Sequence, residues 1–242
     1  MRPYIQSKNG IPGGVNFFNA YQGYSEMGLE CVLFNTADEL ASSRREDVVV
    51  GGLGVVQHAL ARFGARPEPI DYPEELAGFL GRRVWTSTID EVSCSPDAWP
   101  VFVKPIDDEK RFTGVVVRGT KDLVGCGTSG YNPRVYCSDP VNFVAEWRCF
   151  VRYGTVLDVR PYQGDWHACI DGDVVDAAVR SYTTAPAGYA MDFGVTDDGR
   201  TLLVEVNDGY ALGCYGLQHN LYAKLLAARW AELVGVPDAC PF

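Results

Sequence analysis

Apolar and polar positions follow one pattern in the first eighty residues and another after them. The early pattern alternates short apolar runs with amphipathic stretches, and it predicts helices over Val15–Met27 and from Gly51 to about Phe63. Three aromatic residues recur at helical spacing in the first of these helices. The strands predicted between the helices are Pro3–Gln6, Glu30–Phe34 and Val48–Val50. Strands that alternate with helices in this way indicate a small parallel sheet.

From Val101 onward the apolar runs are typical of strands and hairpins. One long helix is predicted near the end, over Leu217–Val234. The predicted strands are 101–104, 114–118, 142–151, 155–161, 167–171, 190–196 and 201–207. The proline-rich stretch Pro67–Pro73 breaks regular structure between the two patterns. We therefore predict two domains, a small α/β domain at 1–82 and an α+β domain at 83–242.

Oxygen-bearing side chains recur in the last strand pair, whose two members are joined by an Asp-Gly turn. Asp192 lies in the first strand, and Glu205 and Asn207 lie two apart in the second, so that these two share one face. Hard oxygen ligands of this kind suit Mg²⁺. The alternative is a hairpin with solvent-facing polar residues, but the second strand is nearly all apolar, which indicates burial. We expect a magnesium site.

Positive charge follows an apolar strand earlier in this part of the chain. Lys104 closes the run Val101-Phe-Val-Lys, and Lys110 and Gly114 follow in a segment that resembles a hairpin tip. A lysine at such a position either extends its ammonium to water or holds an anion. We expect Lys104 to contact a phosphate group, with Lys110 and Gly114 nearby.

Two arginines occupy adjacent predicted strands, Arg148 in 142–151 and Arg160 in 155–161. A guanidinium group matches the geometry of a phosphate or a carboxylate. The alternative for each arginine is a structural pair, with Glu146 or with Asp158. Glu146 is two residues before Arg148 and shares its face, so we expect it to orient that arginine, to contact a ribose, or both. Arg180 is a third candidate, and the sequence leaves open which arginine joins Arg148.

Five short motifs occur in an order that resembles the ATP-grasp superfamily. They are Phe-Val-Lys-Pro, Phe-Thr-Gly, Glu-Trp-Arg, Asp-Phe-Gly and Glu-Val-Asn-Asp-Gly-Tyr, and the likeness extends from about Arg83 to the C-terminus. It is most similar to a phage and bacterial clade named for two arginines and a lysine. The resemblance implies an ATP-grasp fold, in which two α+β subdomains clamp ATP, preceded here by a small α/β pre-ATP-grasp domain.

The same resemblance implies an activity and the residues that serve it. It implies an ATP- and Mg²⁺-dependent ligase that activates a carboxylate as an acyl phosphate, which an amine or thiol then attacks. The adenine would be read by backbone groups near Cys137–Val141. The implied catalytic residues are Lys104, Arg148 and Arg160. The implied nucleotide contacts are Lys104, Lys110, Gly114, Val141, Glu146 and Arg180.

Composition limits the partners that the protein is expected to bind and the compartment in which it is expected. The 242 residues carry a formal net charge of −10, which argues against a nucleic-acid surface. No apolar run is long enough to cross a membrane, and the first residues lack the apolar core of a signal peptide. We therefore expect a cytoplasmic protein with a small-molecule or peptide substrate, bound neither to nucleic acid nor to membrane. The eight cysteines are interpreted as reduced and mostly buried; those in apolar or strand-like surroundings are Cys31, Cys126, Cys149, Cys169 and Cys214.

Three other functions compete with the ligase. A kinase would use the same nucleotide clamp with a hydroxyl acceptor, and a non-catalytic module would only bind ATP. A dehydrogenase would rest on Gly51-Gly-Leu-Gly54, but Gln57 stands where the third glycine of that motif belongs. We interpret this segment as a tight strand-to-helix turn. The glycine- and tyrosine-rich loop Gly209–Gly216 is expected to form a wall of the acceptor pocket or a plain connection.

Overall fold

A computed structural model describes residues 1–106, 112–127 and 130–240 of the chain. The residues group by contact into two compact units. The larger unit comprises Met1–Phe79 and Val144–Phe242, and the smaller unit comprises Leu80–Phe143. The prediction of two domains along the sequence, 1–82 and 83–242, remains a prediction. No helix in the described part of the chain is long and apolar enough to span a membrane.

The N-terminal part of the larger unit contains the predicted parallel sheet. Strand β1 pairs in parallel with β3 and β4, and it forms a hairpin with β2 across a turn at Asn9 and Gly10, which both have positive φ. Two positive φ values in a two-residue loop match the right-handed twist of a hairpin. Helices α1 and α2 alternate with the strands. The elements are β1 Tyr4–Lys8, β2 Ile11–Pro12, α1 Val15–Glu26, β3 Val32–Phe34, β4 Val49–Val50 and α2 Leu53–Arg62.

A second sheet of the larger unit has the strand order β10-β9-β11-β12. Both of its hairpins are antiparallel, and β11 is buried along its whole length. Helix α4 connects β10 to β11, and α5 follows β12. The elements are β9 Phe143–Arg152, β10 Thr155–Gly164, α4 Gly172–Ser181, β11 Gly188–Thr196, β12 Thr201–Asp208 and α5 His219–Val234.

Helices α1 and α5 pack against each other in the core of the larger unit. A Cβ atom at Gly23 would lie 2.1 Å from the carbonyl oxygen of His219, so only glycine allows this approach. The hydroxyl of Tyr24, which is fully buried, donates to the carbonyl of Ala223. The first and last helices of the chain therefore share one hydrophobic core with the parallel sheet.

The smaller unit is a four-stranded antiparallel sheet with the order β5-β8-β6-β7. Its core joins alternate residues of the strands, among them Val103, Val135 and Cys137, to Ile89 and Val92 of a short helix. The elements are β5 Val84–Thr88, α3 Ile89–Ser93, β6 Val101–Pro105, β7 Val115–Val117 and β8 Arg134–Ser138. Short segments of 3-10 helix lie at Ala37–Ser42, Glu74–Phe79, Pro96–Ala98 and Thr120–Leu123.

The strand predicted at 167–171 is wrong. The backbone N–H of His167 donates to the Asp165 carboxylate, which closes a local turn, and Asp171 caps α4 by accepting from the N–H of Asp173. Asp side chains that satisfy nearby backbone groups compete with a strand ladder. Helix α4 and strand β8 were not predicted.

All eight cysteines are free thiols in the structure. The prediction of apolar or strand-like surroundings is wrong for Cys169, which is exposed and lies outside any strand; Cys94 is also exposed. Cys31 is intermediate, and the other five are buried.

Candidate active site

Strands β9 and β10 place acidic, basic and aromatic side chains beside one another. Glu146 and Arg148 lie two apart on β9, and Arg148 is directly opposite Arg160 on β10. A register shift between Pro161 and Gln163 moves Tyr162 out of the regular pairing. A bulge of this kind redirects a side chain, and the Tyr162 hydroxyl donates to Glu146 at 2.5 Å.

Arg148 forms a buried two-point ion pair with Asp192 of β11. Its Nε lies 2.7 Å from Oδ1 and its second nitrogen lies 2.6 Å from Oδ2 of the carboxylate. Arg148 is 6% exposed and Asp192 is 2% exposed. Burial raises the pKa of the Asp192 carboxyl, and the hydrogen bonds from Arg148 oppose that shift. Of the alternatives for Glu146, direct pairing with Arg148 does not match these contacts, because Asp192 holds the guanidinium fork and Glu146 accepts from Tyr162; a ribose contact stays a prediction.

The three predicted metal ligands come together. The amide nitrogen of Asn207 lies 3.1 Å from Oδ2 of Asp192 and 3.3 Å from Oε1 of Glu205. The register of β11 with β12 shifts after the Asp192–Glu205 pair, so that Val204 is the extra residue of a bulge. Glu205 and Asn207 are two apart in the regularly paired part of β12, so they lie on one face, and Glu205 is directly opposite Asp192.

This donor set fits a hard divalent cation. Two carboxylates stand around one amide, and the amide group offers an oxygen ligand when it turns. A carboxylate that accepts from an arginine still has lone pairs for a metal, and Mg²⁺ binds through one or two carboxylates with water and phosphate completing its shell. Among the described residues, no group of three or more His, Cys, Asp and Glu side chains could hold a metal ion; the predicted set has two carboxylates and an amide.

An aromatic pair that the sequence pattern did not predict covers Arg148. The rings of Tyr162 and Tyr215 are stacked with centroids 4.8 Å apart. The guanidinium carbon of Arg148 lies 4.7 Å from the Tyr215 ring and 5.8 Å from the Tyr162 ring. Burial and the neighbouring carboxylates raise the pKa of Tyr162, so this hydroxyl stays protonated and donates to Glu146. The available signal was Tyr162 itself, on the strand beside Glu146.

The other two arginine candidates do not share the Asp192 carboxylate, although Arg160 lies directly opposite Arg148. Arg160 pairs with Asp158 of its own strand, Nε to Oδ2 at 2.8 Å, and its side chain is 41% exposed. The contacts of Arg160 therefore match the alternative in which it forms a structural pair with Asp158. Arg180 is exposed in the last turn of α4.

The phosphate-side candidates belong to the smaller unit. Lys104 is half-buried on β6, and its ammonium lies 5.7 Å from the centroid of the Tyr136 ring. At Gly114 a Cβ atom would meet the Phe102 ring at 2.5 Å, so a larger residue there would have to displace that ring. Val141 lies in the connection between β8 and β9. Lys110 lies outside the described residues.

The Gly51–Gly54 segment is a tight turn from β4 into α2. The side-chain oxygen of Gln6 accepts from the N–H of Gly52, and it would be 2.8 Å from a Cβ atom at Gly51. Gln57, at the place of the third motif glycine, donates to the Tyr210 hydroxyl. Gly51, Gly52 and Gln57 thus have contacts within the protein itself that do not involve a dinucleotide, whereas Gly54 has no atom within 4 Å of the position of a Cβ.

Residues 79–225 match the model of a protein family, the ATP-grasp domain of R2K clade family 2. The chain belongs to this family. It is therefore an R2K-clade ATP-grasp protein, as its motifs predicted, and the predicted α+β ATP-grasp fold is confirmed. No curated protein sequence matches the chain.

Solved ATP-grasp structures share the fold of this R2K protein at low sequence identity. D-alanine–D-alanine ligase from Bacillus anthracis is 13% identical, with a TM-score of 0.60 over 97% of this chain and 98% of its own. N5-carboxyaminoimidazole ribonucleotide synthetase from Thermotoga maritima is 12% identical, with a TM-score of 0.57 over 98% and 76%. The ATP-grasp ligase PsnB, solved with a minimal precursor, is 13% identical, with a TM-score of 0.53 over 94% and 99%.

Proposed function

We propose that the protein is an ATP-dependent ligase that joins a carboxylate to an amine or a thiol. The observation that carries this proposal is the cluster of Arg148, Asp192, Glu205 and Asn207 on three strands of an ATP-grasp fold. A buried guanidinium beside converging oxygen donors suits the stabilisation of phosphate charge. The ligases of similar fold are consistent with this chemistry, and one of them was solved with a peptide precursor. The proposed acceptor is accordingly a small molecule or a peptide.

The reaction would proceed in two balanced steps. A carboxylate oxygen of the substrate attacks the γ-phosphorus, the bond to the β-phosphate oxygen breaks, and ADP leaves. The amine then attacks the carbonyl carbon of the acyl phosphate, loses its proton, and phosphate leaves. Most of the protein's contribution would be positioning and preorganised charge.

Each candidate residue has a proposed role in these steps. Lys104 neutralises phosphate charge in the ground state, and Arg148 stabilises the transferring phosphoryl group, with Arg160 as a further cation. Asp192, Glu205 and Asn207 would hold Mg²⁺, which when bound supplies positive charge to the β- and γ-phosphates. The remaining proposed nucleotide contacts are Lys110, Gly114, Val141, Glu146 and Arg180. We also propose a cytoplasmic location, where ATP is available.

Replacement of Glu205 tests this assignment. Glu205→Gln keeps the shape of the side chain and removes its charge, so we expect ATP consumption to fall by at least ~10²-fold, the effect of losing one preorganised catalytic group. Asp197→Asn is the matched control, because Asp197 is an exposed carboxylate in the turn of the same hairpin. The measurement is ADP release with MgATP and a panel of carboxylates and amines, with products identified by mass spectrometry.

The product distinguishes the competing functions. An amide or thioester supports the ligase, whereas a stable phosphoester indicates the kinase. MgATP binding without turnover of any acceptor, measured by calorimetry, would indicate a non-catalytic module. Equal turnover by Glu205→Gln and Asp197→Asn would contradict the proposed role of Glu205.

A further inference from the structure

The loop that connects β12 to α5 brings an aromatic ring onto the buried arginine. Tyr215 has a φ of 38°, in the left-handed region that non-glycine residues rarely adopt. Its neighbour Gly213 lies against both groups: a Cβ atom there would be 3.4 Å from the Tyr215 ring and 3.5 Å from an Arg148 nitrogen. The backbone of this loop therefore places the Tyr215 ring against Arg148.

Three distances define how the groups are arranged. The Tyr215 ring centroid is 4.7 Å from the Arg148 guanidinium carbon and 4.8 Å from the Tyr162 ring centroid. The Arg148 guanidinium carbon is 5.8 Å from the Tyr162 ring centroid. If the guanidinium and the Tyr162 ring lay on opposite faces of Tyr215, they would be separated by nearly the sum of the first two distances. The three groups instead form a compact triangle, and Tyr215 remains 46% exposed.

Helix α1 fixes the position of this loop. The side-chain oxygen of Asn16 accepts from the N–H of Cys214 at 3.0 Å, and the amide of Asn19 donates to the carbonyl of Leu217 at 3.1 Å. The carbonyl of Cys214 accepts from the N–H of Leu217 at 2.8 Å. Both ends of the Tyr215 segment are therefore held by hydrogen bonds, which makes the strained φ of Tyr215 stable.

We propose that Tyr215 is a positioning residue that holds the Arg148 guanidinium on Asp192. The expected effect of Tyr215 on turnover rests on the proposed function, whereas its contact with Arg148 does not. A cation over an aromatic face is attracted more strongly where water is excluded. The Tyr215 ring thus limits the rotation of Arg148 away from the carboxylate, and it keeps the N–H groups of Arg148 that are not bonded to Asp192 in one orientation for the phosphoryl group.

The direct test measures hydrogen exchange at Arg148 by ¹⁵N NMR. The Nε–H of Arg148 donates to Asp192, so its exchange rate reports how often that bond opens. Tyr215→Leu retains apolar bulk without a ring, and we expect exchange to accelerate roughly fivefold to thirtyfold, the range of a desolvated cation–π contact. Tyr215→Phe retains the ring and should exchange at the wild-type rate.

Tyr153 supplies a matched control. It also has a positive φ, of 48°, and its ring lies 4.8 Å from the guanidinium carbon of Arg152, outside the candidate site. Tyr153→Leu should leave Arg148 exchange unchanged. An unchanged rate in Tyr215→Leu, or equal acceleration in Tyr153→Leu, would overturn the proposal. Asn16→Ala should accelerate exchange in the same direction as Tyr215→Leu.

A kinetic arm separates this inference from the proposed ligase function. With MgATP, Tyr215→Leu should lower kcat more than it raises KM for ATP, because the ring positions the Arg148 guanidinium, which contacts the transferring phosphoryl group. Tyr215→Phe retains the ring and should restore kcat. A wild-type protein that consumes no ATP would refute the proposed function, and the exchange measurement would still decide the role of Tyr215. A change in KM alone would refute the positioning role.

Discussion

The pairing of Arg148 with Asp192 is the main result at the scale of single residues. Both charges are almost fully buried, so most of the attraction between them offsets the loss of hydration. Removal of one partner is different, because it leaves a buried charge without compensation. The pair therefore contributes less to the free energy of unfolding than its short distances suggest. The fold nevertheless requires both partners, because either charge alone would be buried without compensation.

Replacement of Asp192 should accordingly destabilise the protein. Asp192→Asn leaves the Arg148 guanidinium buried without a counterion, and we expect the free energy of unfolding to fall by about 3–5 kcal/mol. Asp158→Asn is the control, because Asp158 pairs with the more exposed Arg160 and should cost no more than about 1 kcal/mol. Urea unfolding followed by circular dichroism measures both, and equal losses would contradict the assignment.

Lys104 gives a prediction about the ground state. Lys104→Met keeps the length of the side chain and removes its charge, so the dissociation constant for MgATP should rise by roughly 10- to 100-fold, the worth of a charged hydrogen bond. Lys121→Met is a control on an exposed lysine of the same unit. Isothermal titration calorimetry measures both dissociation constants, and equal affinities of the two variants would contradict a contact of Lys104 with phosphate.

Residue patterns predicted which side chains share a face, but not which ones pair. The two-residue spacing correctly grouped Glu205 with Asn207 and Glu146 with Arg148. Arg148 pairs with Asp192 because β9 and β11 are neighbours in the sheet. The two residues are about forty positions apart in the chain, so their spacing in the sequence does not reveal the pair. Tyr215 was noticed only as part of a loop, because ring contacts with a distant arginine leave no local pattern.

Close helix packing is the main feature at the scale of elements. Gly23 of α1 touches the backbone of α5, while Gly54 of α2 has no atom within 4 Å of the position of a Cβ. Two helical glycines in the same unit thus have opposite surroundings.

Alanine at these two positions should act in opposite directions. Gly23→Ala must separate α1 from α5, and we expect a loss of about 1–3 kcal/mol or more from overpacking. Gly54→Ala should be neutral or stabilise by up to about 1 kcal/mol, since alanine is the better helix former. Thermal and urea unfolding provide the comparison, and stabilisation by Gly23→Ala would contradict the observed packing.

Elements with long, regular periodicity were predicted well, and short ones poorly. Helices α1, α2 and α5 and the long strands lie close to their predicted positions. Helix α4 was missed although Val175, Ala178 and Val179 recur at helical spacing and Asp171 caps its start. Its first turn begins with Gly172 and Asp173, and the segment that precedes it, 167–171, was predicted as a strand. Strand β8 is only five residues long and begins after a proline-containing turn.

At the scale of the whole molecule, the distribution of buried thiols makes stability depend on pH. Burial raises the pKa of Cys149 to about 12 and that of Cys137 to about 11, from an ordinary value of 9.0. The folded protein therefore keeps these thiols neutral at a pH at which the unfolded chain releases their protons. Their contribution to stability is complete below about pH 9 and is lost as the pH rises toward 11 and 12.

The alkaline loss of stability should be smaller when Cys149 is replaced. Cys149→Ala removes one buried thiol, so the free energy of unfolding should fall less steeply above about pH 9 than in the wild type. Cys94→Ala, at an exposed position, should retain the wild-type slope. Urea unfolding across pH 8 to 11, at constant ionic strength, measures the slopes; identical slopes in all three proteins would contradict the burial of Cys149.

The contact of α1 with α5 determines when the protein can fold during its synthesis. Asn19 and Leu217 are 198 residues apart in the chain, and Tyr24 and Ala223 are 199 apart. The ribosome releases α1 long before α5 is made, so the larger unit cannot complete its core until α5 has emerged, whereas Leu80–Phe143 is contiguous and can condense first. Until α5 emerges, the apolar face of the first helix is exposed to chaperones and to other nascent chains.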